Sequence, residues 1–339
     1  MVEFGHDDDD NEKHSKIQRN SKIFITRLIL FMAGLTVFSL GLGHVHRSDP
    51  PQLHIDIKNM MEADAVKRAE AVPKTKVVKH VAVTEPPKPV ETDSDLAAKV
   101  DELDKKVRAR KATGVIMETD EEGLVLTKQL QTATIKLLEH RYGAGKEHPK
   151  FRVVVDLVYP HSIIKDPDSE SNHGKFVIEM APYDLIPCSV FYFLEIARTY
   201  KGGKFHRNAG HVLQAAAQSE ATAGHKSMPF QEYSPEHPHA KYTTGYAGRP
   251  SGPGWYVSIQ DNIKNHGPGS QQKKNPYEAD SNFGRVVEGV ENGVIAKIHS
   301  VPQMGWLSEE NCVKITKLTI LANSVSQPDV WTEWKMTNL

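Results

Sequence analysis

GKFVIEMAPYDLIPCSVFYFLEIARTY, residues 174–200, followed by KFHRNAGHVLQ, residues 204–214, is the stretch on which the fold turns. GKFVIEMAP is apolar and β-rich and predicts a strand. Pro182 to Pro187 breaks it, and Pro187 suits the first turn of a helix, where its missing N–H costs nothing. Phe191, Leu194 and Ala197/Arg198 then follow helical spacing, and Tyr200 with Gly202-Gly203 ends the helix. Upstream, FRVVVDLVY (151–159) is β-branched and alternating, a second strand, joined to the first by the polar turn from Asp166 to His173. Downstream, short strands are predicted at His211 to Ala216, Lys241 to Ala247, Trp255 to Gln260 and Phe283 to Val287. A short helix falls within Gly289 to Ile298, and Lys314 to Ala322 alternates as the last strand. Many short strands with one early and one late helix predict a mainly β domain, a small barrel with helical caps.

The details resemble a known family. GKFVIEMAPYDLIPCSVFYFLEIARTY is similar to the strand-plus-helix opening of a cyclophilin, and KFHRNAGHVLQ resembles its signature segment around Phe-His-Arg and a downstream Gln. NFGRVVEGVE (282–291) resembles the late strand entering the last helix, and KITKLTIL (314–321) the closing strand. The resemblance runs over roughly residues 150 to 325. It implies a closed eight-stranded antiparallel barrel capped by two helices, here over residues 148–325, and cis-trans isomerisation of Xaa-Pro peptide bonds in protein substrates. No cofactor is implied.

Isomerisation must lower a barrier of about 18–20 kcal/mol that arises from amide resonance. A fixed guanidinium can donate to the prolyl nitrogen, whose lone pair is free only when the amide twists, so the bond favours the transition state. The resemblance assigns that role to Arg207 and substrate-backbone positioning to Gln214. It puts Phe205, His211, Trp255 and Tyr256 in or beside the substrate site, with Tyr256 where a phenylalanine lines the proline pocket. The pattern departs from the family in several places. The segment from Arg207 to Gln214 is one residue short, and His211 stands for an aromatic pocket residue. Ala215-Ala216-Ala217 replaces Gly-Gly-Asp, and Gly252-Pro253-Gly254-Trp255 replaces Gly-Ser-Gln-Phe. The Trp-Leu-Asp-Gly loop gives way to an insertion ending at Asn275 to Asp280, with Asp280 at the position of the pocket histidine. An alternative function is therefore a cyclophilin-like module that binds proline-containing or extended segments without useful catalysis.

Outside this region the sequence is organised in pieces. Leu28 to Val45 carries no charge and is long enough to cross a thin bilayer, which predicts a transmembrane anchor over residues 28–46. Lys13, Lys16, Arg19, Lys22 and Arg27 precede it, and Arg47 alone follows closely, so residues 1–27 are expected in the cytosol. The chain would then be a single-pass type II protein of the endoplasmic reticulum or Golgi, with its C-terminal domain lumenal. A cleaved signal would want a shorter apolar core and a better cleavage site than Gly43-His44-Val45. Residues 47–93, rich in Pro, Lys, Val and Glu, read as an extended stalk.

Residues 94–143 read as a helical neck. Ser94 is the expected cap of a first helix, in which Leu96, Val100, Leu103 and Val107 form a 4-3-4 seam. Leu126, Leu130, Ala133 and Leu137 repeat the spacing in a second helix, about Glu122 to Tyr142, stopped by Gly143. Two outcomes are open: pairing with a second copy as a short coiled coil, or a hairpin folded back on the domain. Residues 326–339 form a tail whose Trp331 and Trp334 either dock on the barrel or stay free.

A net charge of -1 over 339 residues gives no field for nucleic acid. Two cysteines exclude a disulfide-dense scaffold or a Cys-rich zinc site, and whether Cys188 and Cys312 pair depends on their separation. No Asn-x-Ser/Thr sequon is present. His237-Pro238-His239 lacks a third ligand at metal spacing, and no metal is expected. His266-Gly267-Pro268-Gly269-Ser270 reads as a flexible loop.

Overall fold

The computed structural model describes residues 91–336, apart from 167, 169–170, 218–226, 249–251 and 271–274. These residues fall in one compact unit that begins at Pro86. The expected cytosolic tail (1–27), anchor (28–46) and nearly all of the stalk (47–93) lie outside the described residues. No helix among the described residues is long and apolar enough to cross a membrane.

The core of the fold is a closed antiparallel barrel. Its strands are β1 (Phe151–Val158), β2 (His173–Met180), β3 (Gly203–Asn208), β4 (Val212–Ala217), β5 (Thr243–Tyr246), β6 (Trp255–Ser258), β7 (Asn282–Glu288) and β9 (Val313–Ser324). They run in the order β9-β1-β2-β7-β5-β6-β4-β3, and β3 closes the ring by pairing Gly203 to Phe205 with Ile315 to Val313. The expected eight-stranded barrel is present, its ring closed by the pairing of β3 with the first part of β9. β1 shows how the sequence specifies it: burial alternates strictly along the strand, so Phe151, Val153, Val155 and Leu157 face inward.

Two helices expected from the sequence pack against the barrel. α3 (Pro187–Arg198) starts at the proline and puts Phe193 against Phe283, stacked at 4.0 Å, and edge-on to Trp255 at 5.5 Å. α5 (Val294–His299) buries Ile295 and Ile298. A short α4 (Ile263–His266) lies between them in sequence and ends at His266, the first residue of the loop expected over His266 to Ser270.

The neck is a hairpin. α1 (Asp93–Ala112) begins two residues earlier than expected, because Thr92 rather than Ser94 is the cap. Thr92 and Asp95 bond each other's backbone N–H groups, a reciprocal arrangement that Ser94 has no partner to build. α2 (Glu121–Arg141) is capped by Asp120 and ends before Gly143, whose φ is +67°. The helices run antiparallel: Arg141 at the end of α2 bonds Asp93 at the start of α1, and Arg110 bonds Asp120 across the turn. Leu96, Val100, Leu103 and Val107 are buried against this chain's own residues, as are Leu130, Ala133 and Leu137. Of the two outcomes open from sequence, the hairpin is the one observed.

The hairpin is also tied to the barrel cap. Asp104 of α1 accepts from Tyr192 of α3 at 2.9 Å and from Arg108 at 2.6 Å. Gln131 of α2 donates to Glu232, whose other oxygen accepts the Ser189 backbone N–H of α3 at 2.6 Å.

Two further strands lie outside the closed ring. β8 (Gly305–Trp306) pairs with the end of β3. β10 (Gln327–Glu333) pairs with β9, so Lys314 to Ala322 does not hold the last strand and residues 327–333 are not a tail. Trp334 packs on Tyr142 at 4.7 Å and the Arg152 guanidinium sits 4.1 Å over Trp331, so both tail tryptophans dock. Cys188 and Cys312 are both buried and both free. Burial pushes the Cys188 thiol well above its ordinary value.

Candidate functional site

β3 and β4 run opposite each other with Phe205 facing Ala215, but the next pair is Arg207 with Gln214. One extra residue, His206, is therefore taken up on β3 as a bulge. Side chains alternate between the faces of a strand, so without the bulge Arg207 would share the face of Phe205. With it, the two part. Phe205, Ala215, Trp255 and Tyr246 form one cross-strand row, and Phe205 meets Trp255 in the core at 5.6 Å. Arg207, Gln214, Tyr256 and Gly245 form the neighbouring row on the outer face.

Arg207 is half-buried, and its Nη1 donates to Gln214 Oε1 at 3.2 Å. That bond fixes the amide of Gln214 with its NH2 turned away from the guanidinium. Trp306 of β8 lies beside the pair, with the Arg207 guanidinium 5.4 Å from its ring centroid. His206 stacks on the same ring at 5.3 Å. Trp306 is 66% exposed, an unusual state for a tryptophan, so the pair borders an open aromatic surface. Partial burial lowers the pKa of His206, and the nearby Lys204 and Arg207 add to the shift.

Along the same row the surface changes character at Tyr256, which is only 2% exposed. Its hydroxyl donates to Asp280 Oδ2 at 3.1 Å and lies 3.3 Å from His239 Nδ1. His239 Nε2 donates to the backbone carbonyl of Asp280 at 2.9 Å. His266 Nδ1 donates to Asp280 Oδ2 at 2.5 Å, and its ring covers Tyr256 at 4.9 Å. On its other side His266 stacks on His211 at 5.4 Å. The backbone holds this arrangement: His266 N–H donates to the Asn262 carbonyl, Asp280 N–H to the His266 carbonyl, and Asn262 Nδ2 to the His211 carbonyl.

The six residues singled out from sequence thus divide three ways. Arg207 and Gln214 meet on the outer face. His211 and Tyr256 flank His266, with Tyr256 covered. Phe205 and Trp255 lie in the barrel interior as core aromatics, where no peptide reaches them. Sequence reasoning missed Trp306, His239 and His266. The signal for His266 was Asp280: an acid on a buried face needs donors, and the histidine of the preceding insertion is the nearest supplier.

No family profile and no curated protein matches the chain. Among solved structures, a cyclophilin-type peptidyl-prolyl cis-trans isomerase of Cryptosporidium parvum is similar at 14% identity and a TM-score of 0.35, over 51% of this chain and 99% of its own. The same enzyme solved in the presence of the dipeptide Ala-Pro is similar at 14% identity and a TM-score of 0.34, over 50% of this chain and 99% of its own.

Proposed function

We propose that the barrel is a membrane-tethered cyclophilin-like domain that catalyses cis-trans isomerisation of Xaa-Pro bonds in polypeptides of the secretory pathway. The observation that carries this reading is the Arg207–Gln214 contact on the outer face of β3 and β4. The Arg207 guanidinium has N–H donors beyond the one bonded to Gln214, and one of them can serve a prolyl nitrogen that pyramidalises as the amide twists. Gln214, oriented by its bond to Arg207, offers its NH2 to a substrate carbonyl and holds the peptide across the guanidinium. Trp306 supplies an apolar shelf beside them. No covalent intermediate and no cofactor is required, since no bond is broken.

A second reading has its own observation. His266 covers Tyr256, where the resemblance puts the proline ring. With that position occupied, the domain would bind an extended segment along Arg207, Gln214 and Trp306 without accelerating rotation.

The two readings separate in one assay. Exchange between cis and trans forms of a short Xaa-Pro peptide is followed by NMR in the presence of residues 86–339. Uncatalysed exchange takes tens of seconds or longer. Catalysis that falls about 10²-fold or more in Arg207→Ala supports the isomerase. Peptide shift changes without faster exchange, at high concentration of folded protein, reject catalysis and leave the binding module.

A further inference from the structure

The α1–α2 hairpin carries a second feature, unrelated to the barrel face. A trough of about 720 Å³ runs along it, lined only by residues of those two helices. Its floor is Leu103 and Ala133, which are buried. Its apolar wall is Leu124 and Val125, adjacent aliphatics that remain 50% and 52% exposed. The rim is basic, with Lys99 and Lys106 on one side and Lys128 and Lys136 on the other. Glu102 is the one carboxylate lining it, and Glu102 already pairs with Lys106 at 2.6 Å. Several other cations of the hairpin are paired: Lys105 with Asp101, Arg108 with Asp104, Arg110 with Asp120, and the rim lysine Lys136 with Glu91 at 4.0 Å. Among the described residues Lys99 and Lys128 have no ion pair, so positive charge is left over beside exposed apolar surface.

The shape and the charge together select an occupant. A groove between two antiparallel helices is the seat that a third helix takes in a bundle, with its ridge in the groove. From Leu124 to Lys136 the trough runs about 18 Å, the length of some twelve helical residues at ~1.5 Å each. Apolar side chains at i, i+3, i+4 and i+7 would cover Leu124, Val125 and Leu103, and acidic neighbours would meet the lysines. A second copy of this hairpin is a poor fit, since it would set Lys99 and Lys128 against their own copies and bring only Glu102, already paired with Lys106, to meet them. We propose that the trough between α1 and α2 is a docking site for an acidic amphipathic helix of a partner protein.

The test uses the full-length chain in nanodiscs of neutral phosphatidylcholine. The probe is a fluorescein-labelled three-heptad helix, with leucine at the seam and glutamate at the flanking positions. Its anisotropy should rise saturably. The affinity should fall tenfold or more in Lys99→Glu/Lys128→Glu and in Leu124→Ser/Val125→Ser. All four residues are exposed, so melting temperatures should stay unchanged and separate lost docking from lost folding. A matched peptide with lysine in place of glutamate should not bind. Equal binding of the two peptides, or binding indifferent to the charge reversal, overturns the proposal. It is also overturned if sedimentation shows a dimer abolished by Leu124→Ser/Val125→Ser. The same holds if phosphatidylserine in the nanodisc displaces the peptide, or if the peptide binds only after residues 47–90 are deleted.

Discussion

Arg207 reaches the outer face only because β3 accommodates His206 as an extra residue, and the same bulge leaves Phe205 in the core. One residue of register thus sorts an aromatic anchor from a cationic donor. The neighbouring His266 is the residue whose removal is most informative. It is buried, bonded to Asp280 and stacked over Tyr256. His266→Ala should cost about 1–3 kcal/mol through the carboxylate it leaves without that donor. It should also uncover Tyr256 and tighten binding of an Xaa-Pro peptide, read by NMR titration. Unchanged or weaker binding by a folded variant would mean that Tyr256 is no part of a proline site. Protonation makes a separate prediction. Burial lowers the pKa of His206 and of His237 from the usual 6.5. As pH falls below about 6.5 the unfolded chain takes up protons that the folded chain refuses, so stability drops with falling pH. Between pH 7 and pH 5 the melting temperature of the native chain should fall more than that of His206→Asn/His237→Asn. Equal slopes would refute the assignment.

At the level of elements, the helical hairpin and β10 are parts of the barrel's structure. Leu137 is fully buried among α1, α2 and the core, and Leu137→Ala should cost about 2–5 kcal/mol. Asp104 links α1 to α3 through Tyr192 and also holds Arg108, so Asp104→Ala should cost about 1–3 kcal/mol. If the hairpin were an independent neck, Asp104→Ala would leave barrel melting untouched, and calorimetry separates the two cases. The long strands β1 and β9 were legible because buried and exposed residues alternate along them, whereas β3 was not among the strands expected from the sequence. β10 was not legible. Its residues QPDVWTE are exposed and polar, and the strand exists because β9 offers an edge for them to pair with. α4 was hidden for a similar reason: four residues carry no helical period, and the burial of His266 against Tyr256 and Asp280 holds them.

For the whole molecule, the proposed arrangement is a folded unit from Pro86 onward joined to an uncharged N-terminal run, Leu28 to Val45. The charge bias around that run predicts orientation. In microsomes the chain should resist carbonate extraction, and added protease should remove only the short residues 1–27 side. Carbonate-soluble chain, or digestion of residues 91–336 in sealed vesicles, would overturn the type II arrangement.

The amino-acid sequence alone determined seven of the eight barrel strands, β3 being the exception, together with the cap helix with Pro187 at its first turn, the two neck helices and the identity of Arg207 and Gln214 as neighbours of interest. Those features are written in local period and composition, which the backbone obeys without distant partners. Tertiary structure alone decided which neck outcome holds, which aromatics are core, and what fills the position over Tyr256. Each of these depends on residues far apart in sequence sharing one volume. Leu103 cannot announce that Ala133 will face it, nor Tyr256 that His266 will cover it. Such contacts are fixed by packing and by the cost of leaving a buried polar group without a partner.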